Sequence, residues 1–301
     1  MQITLTGSLG HIGAPLAKTL LADGHALTVV SSSPERRATI EALGAKAAIG
    51  RLQDADFLTD AFRGADAVLT LAPPANYFDH DLDLLAYFRR LGGSFAEAAQ
   101  SSGVRRVVNL SSIGAHLEHG NGILRGTYYV EQSLDALPTA VSVTHLRPTE
   151  IYYNLYGQLP LLRTHGILSG NLAPDDANVW VAPADIAAAA AEELTRATAA
   201  GQRYVRYVAS DEVTYAELAA TIGAAIGKPD LPWVQVADEQ LADSLAGVGM
   251  QPAIARQMAE MYAAIHTGLL YEDYRANPPA ALGQVKVADF AQDFAAAYRQ
   301  A

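Results

Sequence analysis

The sequence predicts an α/β protein: a doubly wound parallel sheet followed by a smaller, mostly helical C-terminal lobe. Three observations carry this. Short strand patterns alternate with helix patterns at the spacing of βαβ units. A glycine-rich turn joins the first strand to the first helix. After Pro148 the alternation gives way to alanine-rich and capped helical patterns. At 301 residues the length suits two units, read as a sheet domain over 1–150 and a smaller lobe over 151–301, with a segment near 180–210 folding back.

Gln2–Thr6 reads as the first strand and Ile12–Asp23 as the first helix, closed by Gly24. Ala26–Val30 is a valine-rich strand, and Pro34–Leu43 a helix with Ser33 as N-cap and Pro34 as its first residue. Lys46–Ile49 is a weak strand, Ala55–Phe62 a helix and Ala67–Leu71 a strand. Leu82–Ser101 forms a long helix before the strand Arg106–Leu110. Tyr128–Leu137 is a helix stopped by Pro138, and Ala140–Leu146 a strand broken by Arg147-Pro148. Beyond it, Asp185 caps the helix Ile186–Leu194, and Tyr204–Val208 is a strand. Thr214-x-x-Glu217 is a capping box opening a helix to Ile226. Pro252–Ile265 and Val287–Tyr298 are further helices.

Composition narrows the function classes. Half the residues are hydrophobic and 18% are charged, which excludes wholesale disorder. The absence of cysteine removes disulfides, thiolate metal sites and cysteine nucleophiles. A net charge of −11 repels nucleic acid and anionic lipid at long range. The apolar run Ile186–Ala191 is too short to span a bilayer, and no basic leader opens the chain. These features predict a cytoplasmic protein with a small-molecule partner, without nucleic acid or membrane, as a monomer or homodimer. His116 and His119 lie in a loop without supporting ligands, so no metal is expected.

The strongest motif is Thr6-Gly7-Ser8-Leu9-Gly10-His11-Ile12-Gly13. Gly7 permits a tight turn, Gly10 lets the backbone approach a pyrophosphate, and Gly13 allows close packing of the helix. The free N–H groups at the helix start then bind the phosphates, with His11 facing phosphate or solvent. A cofactor that is NAD calls for an acid at the end of the second strand. Here stand Ser31, Ser32, Ser33 and, beyond them, Arg36 and Arg37, which suit a 2′-phosphate, while Glu35 argues mildly the other way. NADP(H) is therefore expected over NAD(H). Leu71, Ala72 and Pro73 end the fourth strand and border the adenosine half. Leu110, Ser111 and Ser112 end the fifth, where a serine reaches substrate or the nicotinamide ribose. Tyr152-Tyr153-Asn154-Leu155-Tyr156 offers aromatic faces and one polar contact to a planar substrate.

With these residues in place the chain resembles the NmrA-like group of atypical short-chain dehydrogenases/reductases. The glycine turn, Gly44-Ala45-Lys46, Gly64-Ala65-Asp66-Ala67-Val68, Arg106 to Gly114, Leu146-Arg147-Pro148, Asp185-Ile186-Ala187 and Thr214 to Leu218 carry the resemblance. It implies a Rossmann-type domain with a smaller C-terminal lobe. It also implies an oxidoreductase transferring hydride from NAD(P)H to a quinone-like or dye-like acceptor, or else a non-catalytic NAD(P)-sensing regulator.

Four departures bear on function. Ser32 stands where many relatives have a basic residue, and Gly50-Arg51 replaces Gly-Asp after the third strand, so Arg51 stacks on adenine or meets a phosphate. The pattern Tyr-x-x-x-Lys is missing, since Gln132 and Ser133 follow Tyr128 and Tyr129 by four places. The helix lysine of many relatives falls on Gln132, after Glu131. Without that cation a tyrosine is not brought down from a pKa of roughly 10, which disfavours carbonyl reduction by a Ser–Tyr–Lys mechanism. Hydride transfer to a conjugated acceptor survives, because water can protonate a delocalised product. Ser112, Tyr128, Tyr153 and Asn154 are the catalytic candidates.

Overall fold

The computed structural model describes residues 1–300. Along the chain run β1 (Gln2–Leu5), α1 (Gly13–Ala22), β2 (Ala26–Ser31), α2 (Arg36–Ala42), β3 (Lys46–Ile49), α3 (Ala55–Phe62), β4 (Ala67–Leu71) and α4 (Leu84–Ser102). Then come β5 (Arg106–Leu110), α5 (Arg125–Asp135), β6 (Ser142–Pro148), β7 (Glu150–Ile151), α6 (Leu159–His165), β8 (Leu168–Gly170), β9 (Ala177–Val181), α7 (Pro183–Thr195) and β10 (Arg203–Val208). The chain closes with β11 (Asp211–Thr214), α8 (Tyr215–Ala225), β12 (Trp233–Gln235), α9 (Asp238–Gly247), α10 (Pro252–His266), α11 (Glu272–Ala276) and α12 (Val287–Arg299).

Seven strands form one sheet in the order β10-β6-β5-β4-β1-β2-β3, and every neighbouring pair is parallel. The sheet is buried on both faces, so its strands read as apolar runs with alternate residues in different cores. Val29, Leu69 and Val108 join a core with Leu16, Leu20, Ile186 and Leu194 of α1 and α7. Val30, Val68 and Val107 join another with Leu58, Phe88, Leu91, Phe95 and Leu134 of α3, α4 and α5. A third core sits in the C-terminal region, around Tyr152, Trp180, Tyr215, Ile222, Phe290 and Phe294. There β11-β9-β7 and β12-β8 form two small sheets.

Four local expectations are corrected. Ser33 does not cap α2: its hydroxyl donates to the Glu35 carboxylate, its N–H donates to Ser31 Oγ at 3.2 Å, and the helix starts at Arg36. Asp185 does not cap α7, which starts at Pro183. Its carboxylate instead accepts from the backbone N–H of Gln284 and Val285 at 3.0 and 3.1 Å and from Ser210 Oγ at 2.6 Å. Arg147-Pro148 does not break β6, which runs through both residues and ends at Pro148. The fifth helix begins at Arg125, not Tyr128, and so includes Gly126. A Cβ there would lie 2.2 Å from Phe88, so this glycine lets α5 approach α4 closely.

One partly buried acid makes the C-terminal region pH-sensitive. Glu150 accepts from Asn178 Nδ2 at 2.5 Å and the Tyr215 hydroxyl at 3.1 Å. Burial outweighs these bonds and pushes its pKa from 4.5 up to about 7. The folded state thus favours the protonated acid. The stability this gives is complete below pH 4.5 and is lost as pH rises through 7. Glu150→Gln keeps an acceptor oxygen without the charge. It should raise Tm by several degrees at pH 8 and change it little at pH 4.5; thermal scans giving equal shifts at both would refute the assignment.

Candidate functional site

The strand order reverses direction between β1 and β4, where open α/β sheets form a ligand crevice beyond the strand ends. Hydrogen bonds tie the loops at that edge together. Leu71 N–H donates to Thr6 Oγ1 at 2.8 Å, Ser8 N–H to the Val30 carbonyl at 3.1 Å, and Ser111 N–H to the Leu146 carbonyl at 2.8 Å. Gly7 (φ +90°) and Ser8 (φ +62°) are consecutive left-handed residues, and Ser8 is the one non-glycine with positive φ among the described residues.

Among the described residues, no protein acceptor takes the N–H of Leu9, Gly10, His11, Ile12 or Gly13. Their donors, at the start of α1, fit a diphosphate. The glycines divide the work. A Cβ on Gly7 would crowd the Leu71 side chain at 3.0 Å, and one on Gly13 would lie 2.1 Å from the Ser8 carbonyl oxygen. Gly13 therefore closes the turn on itself rather than on the sheet. A Cβ on Gly10 would meet nothing within 4 Å, which leaves open the approach a diphosphate needs.

At the end of β2, Ser31 Oγ lies 3.4 Å from Ser8 Oγ and ties the glycine turn to this strand. Ser32 is exposed. Arg36 Nη1 reaches back to the Leu9 carbonyl at 3.3 Å, which sets its guanidinium over the turn, whereas Arg37 pairs with Glu41 at 3.4 Å on the outer face of α2. Glu35 is held below its usual pKa by the Ser33 hydroxyl, so it is a carboxylate beside Arg36. Arg51 is exposed. Ala72 and Pro73 follow β4, and the Pro73 carbonyl accepts from the Tyr87 hydroxyl at 3.0 Å.

At the end of β5 lies a network that sequence reasoning missed. Ser111 Oγ donates to Glu131 at 2.6 Å. Arg147 grips the same carboxylate with Nε at 3.0 Å and Nη2 at 2.6 Å, and its Nη1 reaches Asp273 at 2.8 Å. The Tyr207 hydroxyl also donates to Asp273, at 2.6 Å. Burial opposes the Arg147 charge, but pairing with Glu131 prevails and raises its pKa above the usual value. Beside this cluster, burial pushes His116 below its usual pKa, and both of its ring nitrogens are buried without a partner. Arg147, the one lysine or arginine in the strand β6, was the available signal. Gln132, at the place of the missing lysine, is exposed.

The other candidates are dispersed. Ser112 is half-buried beyond Ser111, and Leu110 ends the strand. Tyr128 stands edge-on to Tyr129 with centroids 5.2 Å apart, and the Tyr129 hydroxyl donates to Glu118 at 3.2 Å. The aromatic segment splits in two. Tyr152 and Leu155 are buried in the core, while Tyr153 and Asn154 are exposed. His11 is exposed, as expected, and its ring also meets that of Tyr153 at a tilt, with centroids 3.8 Å apart. That contact bridges the glycine turn and the segment after β7. Beside it opens a groove of about 490 Å³.

Residues 7–154 match a family model described as NAD(P)H-binding. The chain carries an NAD(P)H-binding Rossmann fold. Among curated proteins it is 25% identical over 262 residues to an NAD(P)H azoreductase from Xenophilus azovorans, covering 87% of this chain and 86% of that one. The NAD(P)H-binding fold is also that of an NADPH-dependent quinone oxidoreductase from Escherichia coli solved with NADPH. There the TM-score is 0.79 at 21% identity, over 97% of this chain and 99% of that one. The triphenylmethane reductase of Citrobacter sp., solved with NADP(H), superposes with a TM-score of 0.74 at 19% identity, over 97% and 99% of the two chains. No described helix is long and apolar enough to cross a membrane.

Proposed function

We propose that the chain is an NAD(P)H-dependent reductase that delivers hydride to a quinone-like or dye-like conjugated acceptor. The observation carrying this reading is the run of unpartnered N–H groups from Leu9 to Gly13, bridged by His11 to the exposed ring of Tyr153. The likeness to an azoreductase, a quinone oxidoreductase and a triphenylmethane reductase supports the acceptor class. When bound, the reduced nicotinamide supplies the hydride. The turn's N–H groups would hold the diphosphate charge, and Arg36, which reaches back to the Leu9 carbonyl, would pair with a 2′-phosphate. Ser111, its hydrogen committed to Glu131, offers only lone pairs to the crevice and so accepts from a ribose hydroxyl. Tyr153 and its neighbours align a planar acceptor, and water supplies the proton to the delocalised product.

Cofactor-fluorescence titration followed by NAD(P)H oxidation with a quinone and a dye tests this reading. NADPH should bind at least as tightly as NADH. NADH tighter by tenfold, about 1.4 kcal/mol, would reject the role of Arg36. Binding without oxidation by any acceptor would favour a non-catalytic NAD(P)-sensing protein, a reading to which the missing lysine lends support.

A further inference from the structure

The segment that leads from α11 into α12 is stitched to the start of α7 and the β10–β11 turn. Gly283 N–H donates to the Ala209 carbonyl at 2.7 Å, and Val287 N–H to the Asp211 carboxylate at 3.0 Å. Between them, Gln284 N–H donates to Asp185 Oδ1 at 3.0 Å and Val285 N–H to Asp185 Oδ2 at 3.1 Å. The Lys286 ammonium donates to the Ser210 carbonyl at 2.5 Å. Ser210 is fully buried behind this row. Its hydroxyl donates to Asp185 Oδ2 at 2.6 Å and accepts from the Ala182 N–H at 2.9 Å. A Cβ on Gly283 would lie 2.3 Å from Asp185 Oδ2, so only a glycine passes this close to the carboxylate.

Two walls of the groove beside the glycine turn meet at this clasp. Ala182, Pro183 and Ala184, where α7 begins, line one side, and Val285 and Phe290 line another. Phe290 stacks on Tyr152 with centroids 5.0 Å apart. Burial, and then the nearby Asp211 and Asp185 charges, raise the Tyr152 hydroxyl above its usual pKa, which sets these acids close behind that ring. Because α7 shares a core with α1, the clasp fixes the α12 wall relative to the helix that opens from the glycine turn. We propose that Asp185 is a positioning residue: by holding Gly283–Val287 against the start of α7, it sets the spacing of the groove walls and so the affinity for the acceptor. The identity of that ligand rests on the reductase reading above. The chemistry needs a carboxylate. Whichever way an Asn amide is turned, it faces one of the Gln284 and Val285 N–H groups with another N–H.

The test is titration of the full chain with menadione, a planar quinone, read as quenching of protein fluorescence. Trp180, stacked on Tyr152 at 5.8 Å, serves as reporter, and neither cofactor nor turnover is needed. NADPH affinity is measured separately by cofactor fluorescence. Asp185→Asn should weaken menadione about fivefold or more and leave NADPH affinity within about twofold. Gly283→Ala, which crowds the same carboxylate and removes no polar group, should act in the same direction. Should Asp185→Asn not fold, Gly283→Ala decides by the same measure. Asp66→Asn, which alters a carboxylate that accepts from the Gln2 N–H at 2.8 Å, should change neither affinity. Equal losses of menadione and NADPH affinity, or menadione affinity unchanged in the clasp variants, would overturn the proposal. No saturable quenching in the parent would also overturn it, while NADPH oxidation by quinones would still uphold the reductase. Asp185-dependent menadione binding without NADPH oxidation would uphold the positioning role and count against the reductase.

Discussion

Gly10→Val is expected to abolish dinucleotide binding while leaving the fold unchanged. Gly10 does not have positive φ, and a Cβ built there meets no heavy atom within 4 Å, so the free chain accepts the side chain without strain. The neighbouring glycines lack this property. A side chain at Gly7 would be strained at φ +90°, and one at Gly13 would meet the Ser8 carbonyl at 2.1 Å, so either change deforms the turn itself. At Gly10 the cost falls on the ligand, because the branched side chain fills the approach to the unpartnered N–H groups. NADPH affinity should fall by at least about a hundredfold, roughly 2.7 kcal/mol. Circular dichroism and Tm should match the parent. Affinity within threefold of the parent would remove the glycine turn from the site.

The parts of this architecture that were legible in the sequence are those whose cause is local. Alternating buried residues in strands such as Val29-Val30 and Leu69-Val68 reveal a sheet covered on both faces. The Thr214–Glu217 capping box is local too, and it is present. What could not be read depends on partners distant along the chain. Asp185 looks like a helix cap, but its carboxylate is taken by backbone donors 99 and 100 residues away. Arg147 looks like a strand terminator because its partners lie on other elements, Asp273 being 126 residues beyond it. The sequence reads as a helix from Tyr128, but the fifth helix starts at Arg125, and the Phe88 ring of α4 is what requires Gly126 inside it. His11 sits in a motif that suggests phosphate, and only folding brings Tyr153 onto its ring.

Arg147→Met should cause a large loss of stability and disturb the end of β5. The side chains of Arg147 and Glu131 are 7% and 3% exposed, so the pair is screened little by water. Through it α5, β6 and the β5 end are joined, and Asp273 and Tyr207 extend the links to α11 and β10. Removing the guanidinium leaves the Glu131 carboxylate buried without a counter-ion, which typically costs about 3–5 kcal/mol. For a chain of this size that lowers Tm by roughly 5–8 °C. Glu131→Gln combined with Arg147→Met should regain at least half of the loss, since the charge stranded by the single change is gone as well. A single-variant Tm within 2 °C of the parent, or a double variant no more stable than Arg147→Met, would show that the pair does not hold these elements together. In the double variant the Ser111 hydroxyl is no longer tied to a carboxylate. Cofactor affinity measured there separates the stability of the network from its orientation of Ser111.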